Sequence, residues 1–139
     1  MLHDVEITTA TTNASVPEPS TGGLFVEALA RRDFTAMACC LSPTVRFRAL
    51  LPRRDVDVAG RDATMAEFRR WFADEAEALE ILDATVGQIG RRLYLRWRVR
   101  MTPLDPGQGE TRVVEQHAFA TGGERLESLS LLCSGFQPG

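Results

Sequence analysis

The sequence predicts an α+β domain in which helices come first and a meander of long antiparallel strands follows, with the helices laid on one face of the sheet. Three observations predict it. Apolar residues recur at helical spacing as far as Ala76. Between Arg92 and Leu104 they recur at every second position. Breaks rich in Pro and Gly separate the strand-like runs that follow Leu79.

The elements read in order as follows. Residues 1 to 20 are rich in Thr, Ser and Pro and read as a flexible tail with a short strand at Val5 to Thr8. The single domain then covers residues 21 to 139. Thr21 caps a first helix whose stripe is Leu24, Phe25, Ala28 and Leu29. A second helix, Phe34 to Leu41, is stopped by Ser42-Pro43. Thr44 to Leu50 alternates, with Val45, Phe47 and Ala49 on one face. A turn at Pro52 to Asp55 leads into a short strand, Val56 to Ala59. Arg61 to Leu79 reads as the best helix, capped by Asp62 or Thr64, with Met65, Phe68, Trp71, Phe72 and Ala76 on its apolar face. Ile81 to Ile89, Arg92 to Leu104, Thr111 to Thr121 and Arg125 to Phe136 are the remaining strands. In the second of these, Leu93, Leu95, Trp97, Val99 and Met101 share one face, and Tyr94, Arg96, Arg98 and Arg100 the other.

Length and composition bound what such a domain can do. A chain of 139 residues suits one domain, and 44% hydrophobic residues suffice for a core. The net charge of −3 gives no general attraction to nucleic acid or to an anionic membrane. All 16 basic residues are arginine. That bias fits a GC-rich bacterial genome and removes Schiff-base chemistry by lysine. The three cysteines, Cys39, Cys40 and Cys133, have no CxxC spacing and suggest neither zinc nor a disulfide. They read as reduced, partly buried thiols of a cytoplasmic protein. No apolar run reaches the ~18 residues of a membrane span, and the start carries no signal-peptide pattern. Dinucleotide, phosphate-loop, zincin and nucleophile-elbow motifs are missing from the sequence, so no cofactor and no metal are expected.

Four segments carry a resemblance: FVEALARRDF (25–34), LSPTVRFRALLP (41–52), AGRDATMAEFRRWF (59–72) and VVEQHAFATGGERLESLSLLCSGFQP (113–138). In this order they resemble the nuclear transport factor 2-like superfamily, which includes ketosteroid isomerase-like enzymes and SnoaL-like polyketide cyclases. The resemblance implies a cone-shaped α+β barrel, cystatin-like in outline, with helices on a curved and mainly antiparallel sheet. It implies an apolar cavity between them and a homodimer formed through the sheet's outer face. Ligand-facing residues would be Phe25, Phe47, Trp71, Leu95 and Trp97. Val99, Leu129, Leu131 and Cys133 would complete the wall.

The family's acidic residues do not transfer. The isomerase tyrosine falls on Phe25, its base near Phe47, and its oxyanion-hole acid on Gln116 or His117. Under that mechanism the base would have to be Asp57 or Glu115. The cyclase acid falls near Leu131. Gln116 and His117 are therefore the catalytic candidates, and because neighbours on a strand alternate, only one can face inward. A gapless match to the family favours Gln116, whereas His117 is the group able to move protons near neutral pH. The expected function is a cofactor-free pocket enzyme for an apolar, polycyclic or polyketide-like small molecule, acting by cyclisation, isomerisation or dehydration. The competing expectation is a non-catalytic ligand-binding or dimerisation module of the same fold.

Overall fold

The computed structural model describes residues 7–11 and 20–139. Helix α1 (Thr21–Ala30) starts at Ser20, whose hydroxyl accepts the Gly23 amide at 2.9 Å. Thr21, expected as the cap, instead donates its hydroxyl to the Gly123 carbonyl at 2.8 Å and ties α1 to a distant turn. Phe25, Val26, Ala28 and Leu29 are buried, while Leu24, expected in the stripe, lies on the solvent side at 43% exposure. Asp33 caps α2 (Phe34–Cys39) by accepting the Ala36 amide. Helix α3 (Arg61–Phe72) begins at Gly60, whose φ of 102° suits glycine. Neither Asp62 nor Thr64 caps it; the Thr64 hydroxyl donates back to the Gly60 carbonyl at 2.8 Å.

Two helix ends differ from expectation because tertiary partners claim the backbone. The segment from Leu41 to Pro43 belongs to strand β2 (Leu41–Leu50) rather than ending α2. Pro43 is tolerated there because pairing with the last long strand slips between Leu41 and Arg46. Helix α3 stops at Phe72 rather than Leu79. The Arg32 guanidinium donates to the carbonyls of Asp74 and Glu77 at 3.1 and 2.7 Å. From Glu77 the chain is already strand β4 (Glu77–Ile89).

The other strands are β1 (Ile7–Thr11), β3 (Asp55–Ala59), β5 (Arg92–Pro103), β6 (Arg112–Gly122), β7 (Leu126–Cys133) and β8 (Gln137–Pro138). They form one sheet in the order β1-β4-β5-β6-β7-β2-β3, with β8 on β6. Only the β1–β4 and β2–β7 pairings are parallel. The strand expected at Val5 to Thr8 thus sits at Ile7–Thr11; the rest of the expected tail lies outside the described residues, apart from Ser20. The last expected strand, to Phe136, ends at Cys133, and β8 takes up the pairing with β6.

The clean alternation of β5 decides the inside of the sheet. Leu93, Leu95, Trp97, Val99 and Met101 are buried on the side of α1 and α3, each at 4% exposure or less. The opposite row carries Arg96, paired with Asp83 at 2.7 Å, and Arg100, paired with Glu80 at 3.0 Å. This outer face is held by charge pairs across strands, and the inner face by apolar burial. Among the described residues no helix is long and apolar enough to cross a membrane.

Candidate functional site

Five aromatic rings meet on the inner face. Phe25 comes from α1, Phe47 from β2, Phe68 and Trp71 from α3, and Trp97 from β5. Phe68 sits among the other four, with ring centroids 5.3 to 6.3 Å away. All the expected wall residues point inward. Phe25, Phe47, Leu95, Trp97, Val99 and Leu129 are fully buried, and Leu131 is 3% exposed. Phe68 therefore ties α1, β2 and β5 together at this level of the interior. Trp71, at 9%, is the ring of the five that reaches the surface.

One polar chain runs through this apolar layer. In the β5–β6 ladder Gln116 lies directly opposite Trp97, so both point inward. Gln116 is fully buried. Its Oε1 accepts the Trp97 indole N–H at 2.7 Å, and its Nε2 donates to the Cys133 sulfur at 3.4 Å. The Gly135 amide donates to the same sulfur at 3.4 Å. Cys133 is half-buried, so this chain leads from the core toward solvent.

His117 is on the other face, as alternation requires once Gln116 points in. Its Nδ1 shares a hydrogen bond of 2.7 Å with the Tyr94 hydroxyl, and its Nε2 one of 2.6 Å with Glu115. His117 is thereby removed from the interior. The same holds for both substitute bases: Asp57 pairs with Arg46 on the exposed surface, and Glu115 pairs with His117. No cross-strand partner on the inner face is ionisable among the residues opposite Trp97, Leu95 and Val99, which are Gln116, Ala118 and Val114.

A residue that the sequence did not single out stands at the rim. Glu67, at 8% exposure, lies one helical turn before Trp71, and its Oε1 accepts from Arg54 at 2.5 Å. Arg70 is 3.9 Å from its other oxygen. Arg54 belongs to the β2–β3 turn, which is closed by the Leu51 amide donating to the Arg54 carbonyl. Pro52 of this turn packs on Gly135: a Cβ there would come within 2.8 Å of the Pro52 ring. The β2–β3 turn thus touches α3 through Arg54 and Glu67, and the segment after β7 through Pro52 and Gly135. The i,i+4 spacing of Glu67 and Trp71 is the sequence signal that could have found Glu67.

Thiol chemistry separates the cysteines. All three are free. Burial, then the neighbouring Cys39, pushes the Cys40 thiol up to about 11. Among the described residues no group of three His, Cys, Asp or Glu side chains could hold a metal ion. On the outer face, a shallow groove of about 620 Å³ runs between Arg48, Leu50, Asp57, Phe119, Ser130 and Leu132. Leu50, Phe119 and Leu132 are 53%, 58% and 51% exposed, an apolar patch on a sheet face otherwise held by ion pairs.

Comparison with known proteins places the chain. A family model described as the SnoaL-like domain matches residues 24–124. No curated protein matches the sequence. Among solved structures, a proposed polyketide cyclase of Xanthomonas campestris pv. campestris is similar, with 22% identity and a TM-score of 0.62 over 81% of this chain and 86% of that one. A proposed polyketide cyclase of Pseudomonas putida KT2440 has 18% identity and a TM-score of 0.63 over 80% and 86%. An M. tuberculosis epoxide hydrolase of the LEH-like type has 12% identity and a TM-score of 0.58 over 82% and 80%. At these identities the likeness is one of fold, and the fold is nuclear transport factor 2-like.

Proposed function

The chain belongs to the SnoaL-like family, and from that premise we propose that it is a cofactor-free enzyme acting on an apolar, polycyclic or polyketide-like small molecule by cyclisation, isomerisation or dehydration. One observation carries the reading: a single polar chain, Trp97–Gln116–Cys133, set in an otherwise aromatic and aliphatic interior. An apolar site with one or two aimed hydrogen bonds is what orients a mostly hydrocarbon substrate. Gln116 is the residue assigned to the reacting oxygen. Trp71, Leu131 and Cys133 line the way in, at the end where burial is least complete, and Phe25, Phe47, Leu95, Trp97, Val99 and Leu129 form the apolar wall behind them.

A specific observation favours a second reading, a non-catalytic binding module. The inner rows of β5 and β6 carry no carboxylate, and the buried carboxylate of Glu67 is engaged by Arg54. The two readings part in one experiment. The full chain is incubated with a panel of polycyclic aromatic ketones and poly-β-ketone analogues, and both thermal stabilisation and product are measured. Turnover that is lost in Gln116→Leu supports the enzyme. Stabilisation without turnover supports the binding module. Neither effect with any compound would remove both.

The apolar patch formed by Leu50, Phe119 and Leu132 supports a homodimer through the outer sheet face, with the groove between Arg48 and Leu132 as its centre. The unpaired thiols suit a cytoplasmic location.

A further inference from the structure

The outer face carries an ordered chain of titratable groups that the interior does not use. Tyr94 projects from β5, and Glu115 and His117 from β6. The imidazole Nε2 is 2.6 Å from Glu115, and its Nδ1 is 2.7 Å from the Tyr94 hydroxyl. Chemistry fixes the protons. A carboxylate only accepts, so Nε2 carries the hydrogen, Nδ1 keeps its lone pair, and the Tyr94 O–H donates to it. Arg96, the cation nearest this carboxylate, is held by Asp83 at 2.7 Å and stays 4.0 Å from Glu115, which leaves Glu115 to the imidazole. The three side chains thus stand in the order of orienting carboxylate, base and nucleophile. They are accessible: the His117 and Glu115 side chains are 35% and 38% exposed, and Tyr94 is half-buried. Beside Tyr94 stands the exposed Phe119, with ring centroids 5.3 Å apart. Across the ladder to β4 stands Gly87, where an added Cβ would meet no atom of the described residues within 4 Å, so that flank of the tyrosine is open.

We propose that Tyr94 is a nucleophile that takes an acyl group from activated aryl esters, with His117 as its general base and Glu115 as the positioning residue of the imidazole. The Tyr94 oxygen attacks the ester carbonyl carbon while its proton passes to His117 Nδ1. The bond from that carbon to the aryl oxygen breaks, and the aryl oxide leaves with the proton taken back from Nδ1. The products are a Tyr94 ester and a free phenol. A phenol that keeps its proton is a weak nucleophile; here the base removes the proton as the new bond forms, and Glu115 balances the charge of the imidazolium. The aryl group of the donor rests on the exposed Phe119 ring. This site lies on the opposite side of the sheet from the interior and does not depend on what the interior binds.

The test incubates the full chain with 4-nitrophenyl acetate at neutral pH, at low protein concentration so that pairing through the outer face is least. The sequence suits it. Tyr94 is the single tyrosine, and lysine, the usual competitor for acyl donors, is missing. Cleavage after arginine yields Leu93 to Arg96 as one peptide, in which Tyr94 is the side chain able to hold an acetyl group. Mass spectrometry follows acetyl on that peptide over time. Wild type should acquire it roughly a hundredfold faster than N-acetyltyrosinamide, the contribution of a positioned base. His117→Gln should fall to the rate of the small molecule. Glu115→Gln should lose most of the gain, and Glu115→Asp should regain part of it. Phe119→Ala should slow labelling roughly fivefold. A wild-type rate equal to that of N-acetyltyrosinamide overturns the proposal, and this comparison needs no variant to fold. Equal rates in wild type and His117→Gln overturn the base. An unchanged rate in Glu115→Gln overturns the positioning role, and one in Phe119→Ala overturns the aryl seat.

Discussion

Replacing Phe68 by alanine measures how tightly the aromatic cluster around it is packed. Phe68 is fully buried and has aromatic neighbours from α1, β2 and β5 as well as from its own helix. Its contacts with Phe25 and Trp71 are edge-on, at 5.4 and 5.3 Å with interplanar angles of 82° and 74°. Truncating a buried phenylalanine costs about 3–5 kcal/mol, more where the surroundings cannot collapse. Neighbours held on three separate elements cannot all move into the gap. Each well-set aromatic pair also contributes roughly 0.5–1.5 kcal/mol beyond burial. The expected loss is therefore in the upper half, about 4–5 kcal/mol. Domains of this size have about 5–15 kcal/mol in total, so Phe68→Leu, expected to lose about 1.5 kcal/mol, provides a graded companion. Urea unfolding followed by both circular dichroism and tryptophan fluorescence gives the midpoint shift at constant slope. A loss below about 2 kcal/mol for the alanine variant would refute the reasoning. It would mean that Phe68 borders open space rather than packed neighbours.

Other expectations can be checked with the same protein. Arg54→Met leaves Glu67 nearly buried with only Arg70 at 3.9 Å. It should cost about 1–2 kcal/mol, less than a fully buried pair because Arg54 is itself 43% exposed. Arg54→Met with Glu67→Met should recover most of that in a double-mutant cycle. Cys40, raised to about 11 in the fold, keeps its proton after the unfolded thiol, near 9.0, has lost one. Stability owed to it is present below about pH 9 and is lost as pH rises toward 11, and Cys40→Ala should flatten that window in denaturation curves. Ser20→Ala removes the acceptor for the Gly23 amide and should cost about 1 kcal/mol. Phe119→Glu places a charge in the outer apolar patch, and under the homodimer proposed above it should shift sedimentation from dimer to monomer without lowering the monomer's stability.

The parts of the fold that were legible in the sequence are those where one local pattern decides. The β5 alternation gave the inner and outer rows because its two faces differ at every position from Leu93 to Met101. The end of α3 was not legible. Ala73 to Ala76 are compatible with helix, and what claims this stretch is Arg32, more than forty residues away, together with pairing of Glu77 to β5. The choice between Gln116 and His117 stayed open in the sequence for a related reason, although the gapless family match favoured Gln116, the residue that faces inward. Both faces of β6 carry polar and apolar residues, so the orientation follows from which residue stands opposite Trp97. That register depends on the irregular turn between β5 and β6, whose shape periodicity does not encode. Glu67 was hidden because its helix reads as apolar on one side and charged on the other, and it sits on the boundary.

The place of β1 has a practical consequence for making the protein. Ile7–Thr11 lies parallel against Ala84–Gln88 and supplies the pairing that the rim of β4 would otherwise lack. A chain started at Thr21 would bare the amides and carbonyls of that rim along Ala84–Gln88. Such a rim is a template for whatever extended peptide comes near, whether an affinity tag or another molecule of the same chain. Trimming the N-terminus to tidy the domain should therefore lower its solubility, and a tag placed ahead of residue 7 should behave better than one fused directly to α1.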